Sequence, residues 1–315
     1  MAKRVWILGG GLIGGGWAAA FAGAGHDVTV IDPDPAAPAR LARQWQAAFE
    51  VMERCGIARP EKTPAVVTDI VLAPADPDWV QENLPERLDL KRSALAALEK
   101  LIGAETIIAS SSSGLSPDDM AEGLRHPGRL VIAHPCNPSY LMPVVEICGN
   151  SQISADVMDR AAAMFEAMGR IVLRLNKPMP GHLVNRLQAA LWREAVHLAR
   201  EGVASLADIE RAVVLGLAPR WTLMGPSSVF HVSGGESGMA GFLAALGPEF
   251  ERWWATLGTP QLDADTRRLL VEGMAEADPR PVSEIAAARD AALPELLAFL
   301  REQKSRLSED RSKGG

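Results

Sequence analysis

Hydrophobic positions along this chain follow two regimes. Up to about residue 178, short apolar runs alternate with stretches in which apolar side chains recur every three or four positions; beyond it only the second pattern continues. The runs at 5–8, 28–31, 65–71, 79–82, 106–109, 130–133, 144–148 and 171–175 predict buried strands. Helical spacing over 17–22, 35–56, 86–102 and 155–168 predicts helices between them. Such alternation predicts an α/β domain over residues 1–178, with a mostly parallel, twisted sheet and helices on both faces.

Lys177-Pro178-Met179-Pro180-Gly181 marks the boundary. After it Val184, Leu187, Leu191, Ala195 and Leu198 lie at helical spacing, and Ser205-Leu206-Ala207-Asp208 starts a second helix, expected to stop at Gly216. Further helical stretches follow to about residue 303, so residues 179–306 read as an all-helical domain whose apolar surface suits dimerisation. Residues 307–315 read as a flexible polar tail. No internal repeat is evident.

The first strand breaks into Gly9, Gly11 and Gly14, with Leu12 and Ile13 between the last two, in G-x-G-x-x-G spacing. A helix follows, then a second strand ending at Asp32. Glycine there permits the tight turn, lets backbone approach a pyrophosphate and allows close packing of helix on strand; the helix N-terminus favours the anion. Asp32 is placed to take the ribose hydroxyls and to repel a 2'-phosphate, which predicts NAD rather than NADP. A glycine-rich loop without a ligand would share the spacing alone.

Composition narrows the field. A net charge of −7 and a pI near 5.5 argue against nucleic acid, and no apolar run is long enough to cross a membrane. Cys55, Cys136 and Cys148 form neither an even disulfide framework nor a C-x-x-C metal site, and no signal sequence is evident, so the expected setting is the cytoplasm, with no metal.

Candidate chemistry gathers at strand ends. Glu82 closes the fourth strand in Glu82-Asn83-Leu84-Pro85-Glu86, where ligands of open α/β sheets collect, and is the more interesting of the two acids; a solvated loop acid would look the same. Ser110 to Ser113 end the fifth strand with small hydroxyl groups, and His134 ends the sixth, where a base titrating near neutrality could take a hydroxyl proton. Glu146, on the next strand, is the candidate to orient it. A structural histidine is the alternative.

The Gly9-Gly11-Gly14 loop, residues 110–115, His134-Pro135-Cys136-Asn137-Pro138, Val145-Glu146 and Pro180-Gly181-His182-Leu183-Val184-Asn185-Arg186 together resemble the 3-hydroxyacyl-CoA dehydrogenase family, in order and over nearly the whole chain. The resemblance implies a Rossmann-type domain followed by a helical domain that forms a homodimer. It also implies His134 as catalytic base, Glu146 as its partner, Ser113 and Asn185 on the substrate oxygen, and Glu82 as the acid near the nicotinamide. Two departures stand out: Cys136 replaces a bulkier apolar residue, and His182 replaces the usual phenylalanine. Arg220, in Arg220-Trp221-x-x-Met224-Gly225-Pro226, is similar to the branch containing L-gulonate 3-dehydrogenase and L-carnitine dehydrogenase. A guanidinium fork clamps a free carboxylate, which a thioester lacks; a solvated helix-end arginine is the plainer alternative. Trp192, Trp221, Phe230 and Tyr140 could face a quaternary ammonium or simply pack. The expected reaction is NAD-dependent oxidation of an L-3-hydroxy acid with a free carboxylate to the 3-oxo acid. An acyl-CoA substrate, or recruitment as a crystallin-like structural protein, are the rivals.

Overall fold

The protein is described by a computed structural model that covers the backbone of residues 1–313 and the side chains of residues 1–303. It divides into two compact units, Met1–Arg186 and Leu187 onward.

The first unit runs β1 (Arg4–Leu8), α1 (Leu12–Gly23), β2 (Asp27–Ile31), α2 (Ala37–Arg54), β3 (Ala65–Val67), β4 (Trp79–Glu82), α3 (Leu88–Leu98), β5 (Ile107–Ser110), α4 (Pro117–Ala121), β6 (Leu130–Pro135), β7 (Val144–Gly149), α5 (Ala155–Ala167) and β8 (Ile171–Arg174). These strands form one sheet in the order β3-β2-β1-β4-β5-β6-β7-β8. Neighbours are parallel except β6 and β7, so β7 and β8 run against the other six. Chain order reverses between β1 and β4, and the crevice beyond the carboxyl ends at such a reversal is where open α/β sheets bind ligands.

Strand alternation builds the two layers. Val5 and Ile7 pack on one face with Trp17, Phe21, Trp45 and Phe165, whereas Trp6 and Leu8 pack on the other with Leu95, Leu98 and Ile132. Both faces of the central strands are covered, so β1, β5 and β6 are largely apolar, as buried parallel strands require, while the edge strands β3 and β8 are partly exposed.

All eight expected strands are present, with local differences. The third is shorter than its apolar run: Asp69 accepts from the Val71 N–H at 3.1 Å and caps a 3-10 turn, Ile70–Leu72, that leaves Val71 and Leu72 exposed. Helix α4, which the sequence reading omits, is too short to show periodicity and is specified by its ends, with Ser116 as N-cap and Pro117 in the first turn.

The second unit continues α6 (Val184–Arg200), then α7 (Leu206–Arg211), α8 (Ala218–Leu223), α9 (Pro226–Ser233), α10 (Gly238–Trp254), α11 (Ala264–Ala277) and α12 (Val282–Lys313). Ser205 caps α7 through the Asp208 N–H at 3.1 Å. The expected stop at Gly216 does not occur: that glycine lacks the left-handed backbone of a helix terminator, and Ala212–Leu217 forms a π-helical passage leading directly into α8. Beyond residue 178, every regular element among the described residues is helical. No described helix is long and apolar enough to cross a membrane. The expected tail at 307–315 falls on residues whose side chains, and in the last two cases backbone, lie outside the described ones; the backbone of 307–313 continues α12.

Candidate active site

The glycine loop joins β1 to α1. Gly9 takes φ 85°, and a side chain at Gly14 would collide with the Gly9 carbonyl, so these two fix the turn and the packing. Gly11 caps α1 without a side-chain bond, the first turn holds no acid, and a Cβ on Gly11 would meet nothing within 4 Å. Open N–H donors beside open space fit a pyrophosphate. Leu12 is exposed and Ile13 lines the neighbouring cleft. Asp32 is buried at the end of β2, accepting from the Gly10 N–H at 2.7 Å and the Asp34 N–H at 3.0 Å, with the Arg40 guanidinium at 3.6 Å. Its carboxylate therefore borders the glycine loop, where an adenosine ribose would lie.

At the carboxyl ends of β1, β4, β5 and β6 lies a cavity of about 350 Å³ lined by Ile13, Glu86, Ser111, Ser113, His134 and Asn185, among others. His134 and Glu146 are paired across the antiparallel β6–β7 register, which puts their side chains on one face. His134 Nδ1 lies 2.8 Å from Glu146 Oε2. The other oxygen, Oε1, accepts from the N–H groups of Leu183 at 2.7 Å and Val184 at 3.0 Å, at the start of α6. These donors suit an ionised carboxylate, which only accepts, so Nδ1 carries the hydrogen and Nε2 presents its lone pair. Asn185 Nδ2 stands 3.4 Å from Nε2. Burial pushes the His134 imidazole below its ordinary value; the Glu146 hydrogen bond opposes this without reversing it.

Ser113 lines the same cavity, its carbonyl accepting from the Gly181 N–H at 2.9 Å. The turn before α6 is thus tied to the serine loop as well as to Glu146.

The acid facing the cavity is not Glu82, as the resemblance implies. Glu82 is fully buried, and its oxygens are taken by Lys91, Ser110 Oγ and the Leu84 N–H. Glu86, four residues on, lines the cavity instead. Its Oε1 accepts from Ser112 Oγ at 2.6 Å and from the N–H groups of Ser113 at 3.0 Å and Gly114 at 2.9 Å. Burial alone would raise the Glu86 carboxyl, but these bonds and Lys91 outweigh it and hold it below its usual range. The E-N-L-P-E spacing contains both acids, and only the buried partner on α3 decides between them.

Arg220 belongs to the second unit. It is exposed on α8, and its Nη2 donates to the Gly216 carbonyl at 3.2 Å. Phe230 stacks on Phe242 at 4.7 Å and meets Phe250 edge-on at 5.0 Å, a packing role, while Tyr140 packs against the first unit's core. Trp192 and Trp221 are exposed.

Comparison with known proteins agrees with this geometry. The family model for the 3-hydroxyacyl-CoA dehydrogenase NAD-binding domain matches residues 4–178, and that for the C-terminal domain matches 181–260. The chain is 41% identical over 298 residues to an L-carnitine dehydrogenase of Streptomyces griseus, covering 94% of this chain and 89% of that one. It is 36% identical over 307 residues to an L-carnitine dehydrogenase of Pseudomonas aeruginosa, covering 96% of each. Among solved structures, an NAD-dependent 5-formyl-3-hydroxy-2-methylpyridine 4-carboxylic acid 5-dehydrogenase aligns with TM-score 0.83 and 25% identity over 96% of this chain and 99% of that one. A (S)-3-hydroxybutyryl-CoA dehydrogenase from Ralstonia eutropha, 24% identical with TM-score 0.62 over 80% of this chain and 89% of that one, shares the fold. A dinucleotide loop, a buried histidine–glutamate pair at a strand-end cavity and two family models across the chain together identify it as a member of the 3-hydroxyacyl-CoA dehydrogenase family, an NAD-dependent dehydrogenase acting on CH–OH.

Proposed function

We propose that the protein oxidises an L-3-hydroxy acid with a free carboxylate to its 3-oxo acid, with L-carnitine the leading substrate. The observation that carries this reading is the His134–Glu146 contact of 2.8 Å, which leaves Nε2 to accept a proton inside a cavity beside the glycine loop. NAD, when bound, supplies the hydride acceptor. His134 Nε2 takes the hydroxyl proton as the carbon–oxygen double bond forms, and Glu146 stabilises the resulting imidazolium. The Ser113 hydroxyl and the Asn185 amide hold the reacting oxygen. Gly9, Gly11, Leu12, Ile13 and Gly14 carry the pyrophosphate, Asp32 the adenosine ribose, and Glu86, in place of Glu82, the nicotinamide end.

Arg220 is assigned the substrate carboxylate because its guanidinium is exposed and offers a planar fork. The carnitine reading is supported by relatives bearing that name at 35% to 41% identity. NADH formation should be assayed with L-carnitine, L-gulonate, L-3-hydroxybutyrate and its CoA thioester. Turnover of a free acid is expected, and turnover confined to the thioester defeats the reading. NAD binding without turnover of any of the four would favour a structural role. His134→Gln should lower kcat by about two to four orders of magnitude with NAD affinity unchanged.

The second unit supports a homodimer. Among its described apolar side chains only Val196, Ala199, Ile209, Phe242 and Pro294 are buried, while Val214, Leu215, Trp254 and Val271 face water. A helical unit this short of core gains by covering that surface with a second copy. Sedimentation should show a dimer, and a monomer at micromolar concentration would reject it. A cytoplasmic setting is proposed from the cysteine pattern, three residues that form neither an even disulfide framework nor a C-x-x-C site.

A further inference from the structure

His182 follows Gly181 in a left-handed turn, with φ 48° after φ 77°. Only one other described non-glycine residue, Asp76, has such a backbone. Left-handed backbone outside glycine costs free energy and persists where surrounding contacts hold it. Here they are specific. The His182 ring is buried, stands 5.0 Å from the His134 ring between centroids at 46°, and places Nε2 2.9 Å from the Ser112 carbonyl. A carbonyl only accepts, so Nε2 bears the hydrogen, and the neutral ring leaves Nδ1 as a lone pair; that atom is buried without a hydrogen-bond partner. A buried polar atom left unmatched is expensive, and an apolar ring of the same shape would fill this space without it.

His182 also stands where the groups of the proposed site meet. Ser112 precedes Ser113 and donates to Glu86; Leu183, the next residue, donates to Glu146; Asn185 lies one helical turn on. The charged and titratable groups linked to it are His134 on β6, Glu146 on β7 through Leu183, Glu86 after β4 through Ser112, Lys91 on α3 behind Glu86, and Arg186 on its own segment.

We propose that His182 is a positioning residue for the oxidation: its Nε2–H holds the Ser112–Ser113 loop in register with His134. The proposal rests on the reading of His134 as the base.

Two substitutions test that bond. His182→Phe keeps a ring but removes the donor; His182→Gln keeps an N–H within reach of the Ser112 carbonyl. The phenylalanine variant should lose about five- to tenfold in kcat, the worth of one neutral hydrogen bond felt at the reacting oxygen, with Kd for NAD unchanged. The glutamine variant should recover kcat to within about twofold. Wild-type kcat in His182→Phe overturns the proposal, as does a glutamine variant no better than phenylalanine. If His182→Phe fails to fold, shown by loss of NAD binding, His182→Ala takes its place: a kcat lowered there and restored by glutamine supports the proposal, and equal kcat in the alanine and glutamine variants overturns it. His134→Gln, measured alongside, distinguishes the failures. Turnover surviving there defeats the base assignment itself; turnover lost there but intact in His182→Phe defeats only the positioning role.

Discussion

Lys91 Nζ lies 2.7 Å and 2.9 Å from the two carboxylate oxygens of Glu82, and neither side chain reaches water. The pair ties α3 to the end of β4, and Lys91 also donates to the Leu84 carbonyl at 3.0 Å, fixing the chain on its way to Glu86. Its stability consequences are asymmetric. Lys91→Met leaves a buried carboxylate uncompensated, and urea unfolding should show a loss of about 3 to 5 kcal/mol. Replacing Glu82 by methionine as well removes the orphan charge and should recover much of that loss. A single substitution costing under about 1 kcal/mol would mean that water or a rearranged donor rescues Glu82.

The pH dependence should follow His134. Burial holds its imidazole below the ordinary 6.5, against the opposing Glu146 bond, so the folded protein takes up this proton less readily than the unfolded chain. Above 6.5 neither state is protonated and the group contributes nothing to stability; as pH falls from 6.5 through the folded value, the unfolded chain gains its proton first and stability declines. The acid limb of kcat/KM should lie below 6.5 for the same reason. A limb above 6.5 would show that Glu146 outweighs burial.

These groups were unevenly legible. The parallel strands are plain in the sequence because strands buried on both faces are mostly apolar runs, broken by polar residues chiefly near their ends, and Gly9, Gly11 and Gly14 announce their own turn. His134 is visible as a histidine ending a strand, but its pairing with Glu146 depends on the β6–β7 register, set by a long intervening loop. The choice between Glu82 and Glu86 turns on where Lys91 folds back, a tertiary fact that local spacing does not carry. The passage through Gly216 shows the converse limit: a glycine ends a helix where the chain turns left-handed, and at Gly216 the backbone makes no such turn and runs on into α8.

Arg220 should declare itself in KM. The one described bond of its guanidinium, 3.2 Å to the Gly216 carbonyl in the π-helical passage before α8, is weak enough to exchange for a carboxylate. Arg220→Lys keeps the charge but loses the fork, so KM for a free hydroxy acid should rise about tenfold or more with kcat little changed. A CoA thioester should respond far less. Equal effects on both would assign Arg220 to folding rather than to the carboxylate.

Gly11 and Gly14 belong to one motif yet should fail differently. A methyl on Gly14 runs into the Gly9 carbonyl, which is backbone held in turn by the Gly9 N–H bond of 2.9 Å to Ile31. Neither side can yield without moving α1 off the sheet, so Gly14→Ala should lower Tm and abolish NAD binding together. A methyl on Gly11 meets nothing within 4 Å, and the extended backbone there (φ −64°) is open to alanine, although glycine is the better N-cap. Gly11→Ala should therefore fold with at most a small loss in Tm. In the proposed placement the pyrophosphate approaches the N–H groups of α1 through the open space beside Gly11, so the methyl should stand in its way and weaken NAD by about tenfold or more, since charge-assisted bonds lengthen as the anion is pushed out. Thermal unfolding and NAD titration on the two variants separate the roles. If Gly11→Ala binds NAD as tightly as the unaltered protein, the cofactor does not cross the loop there.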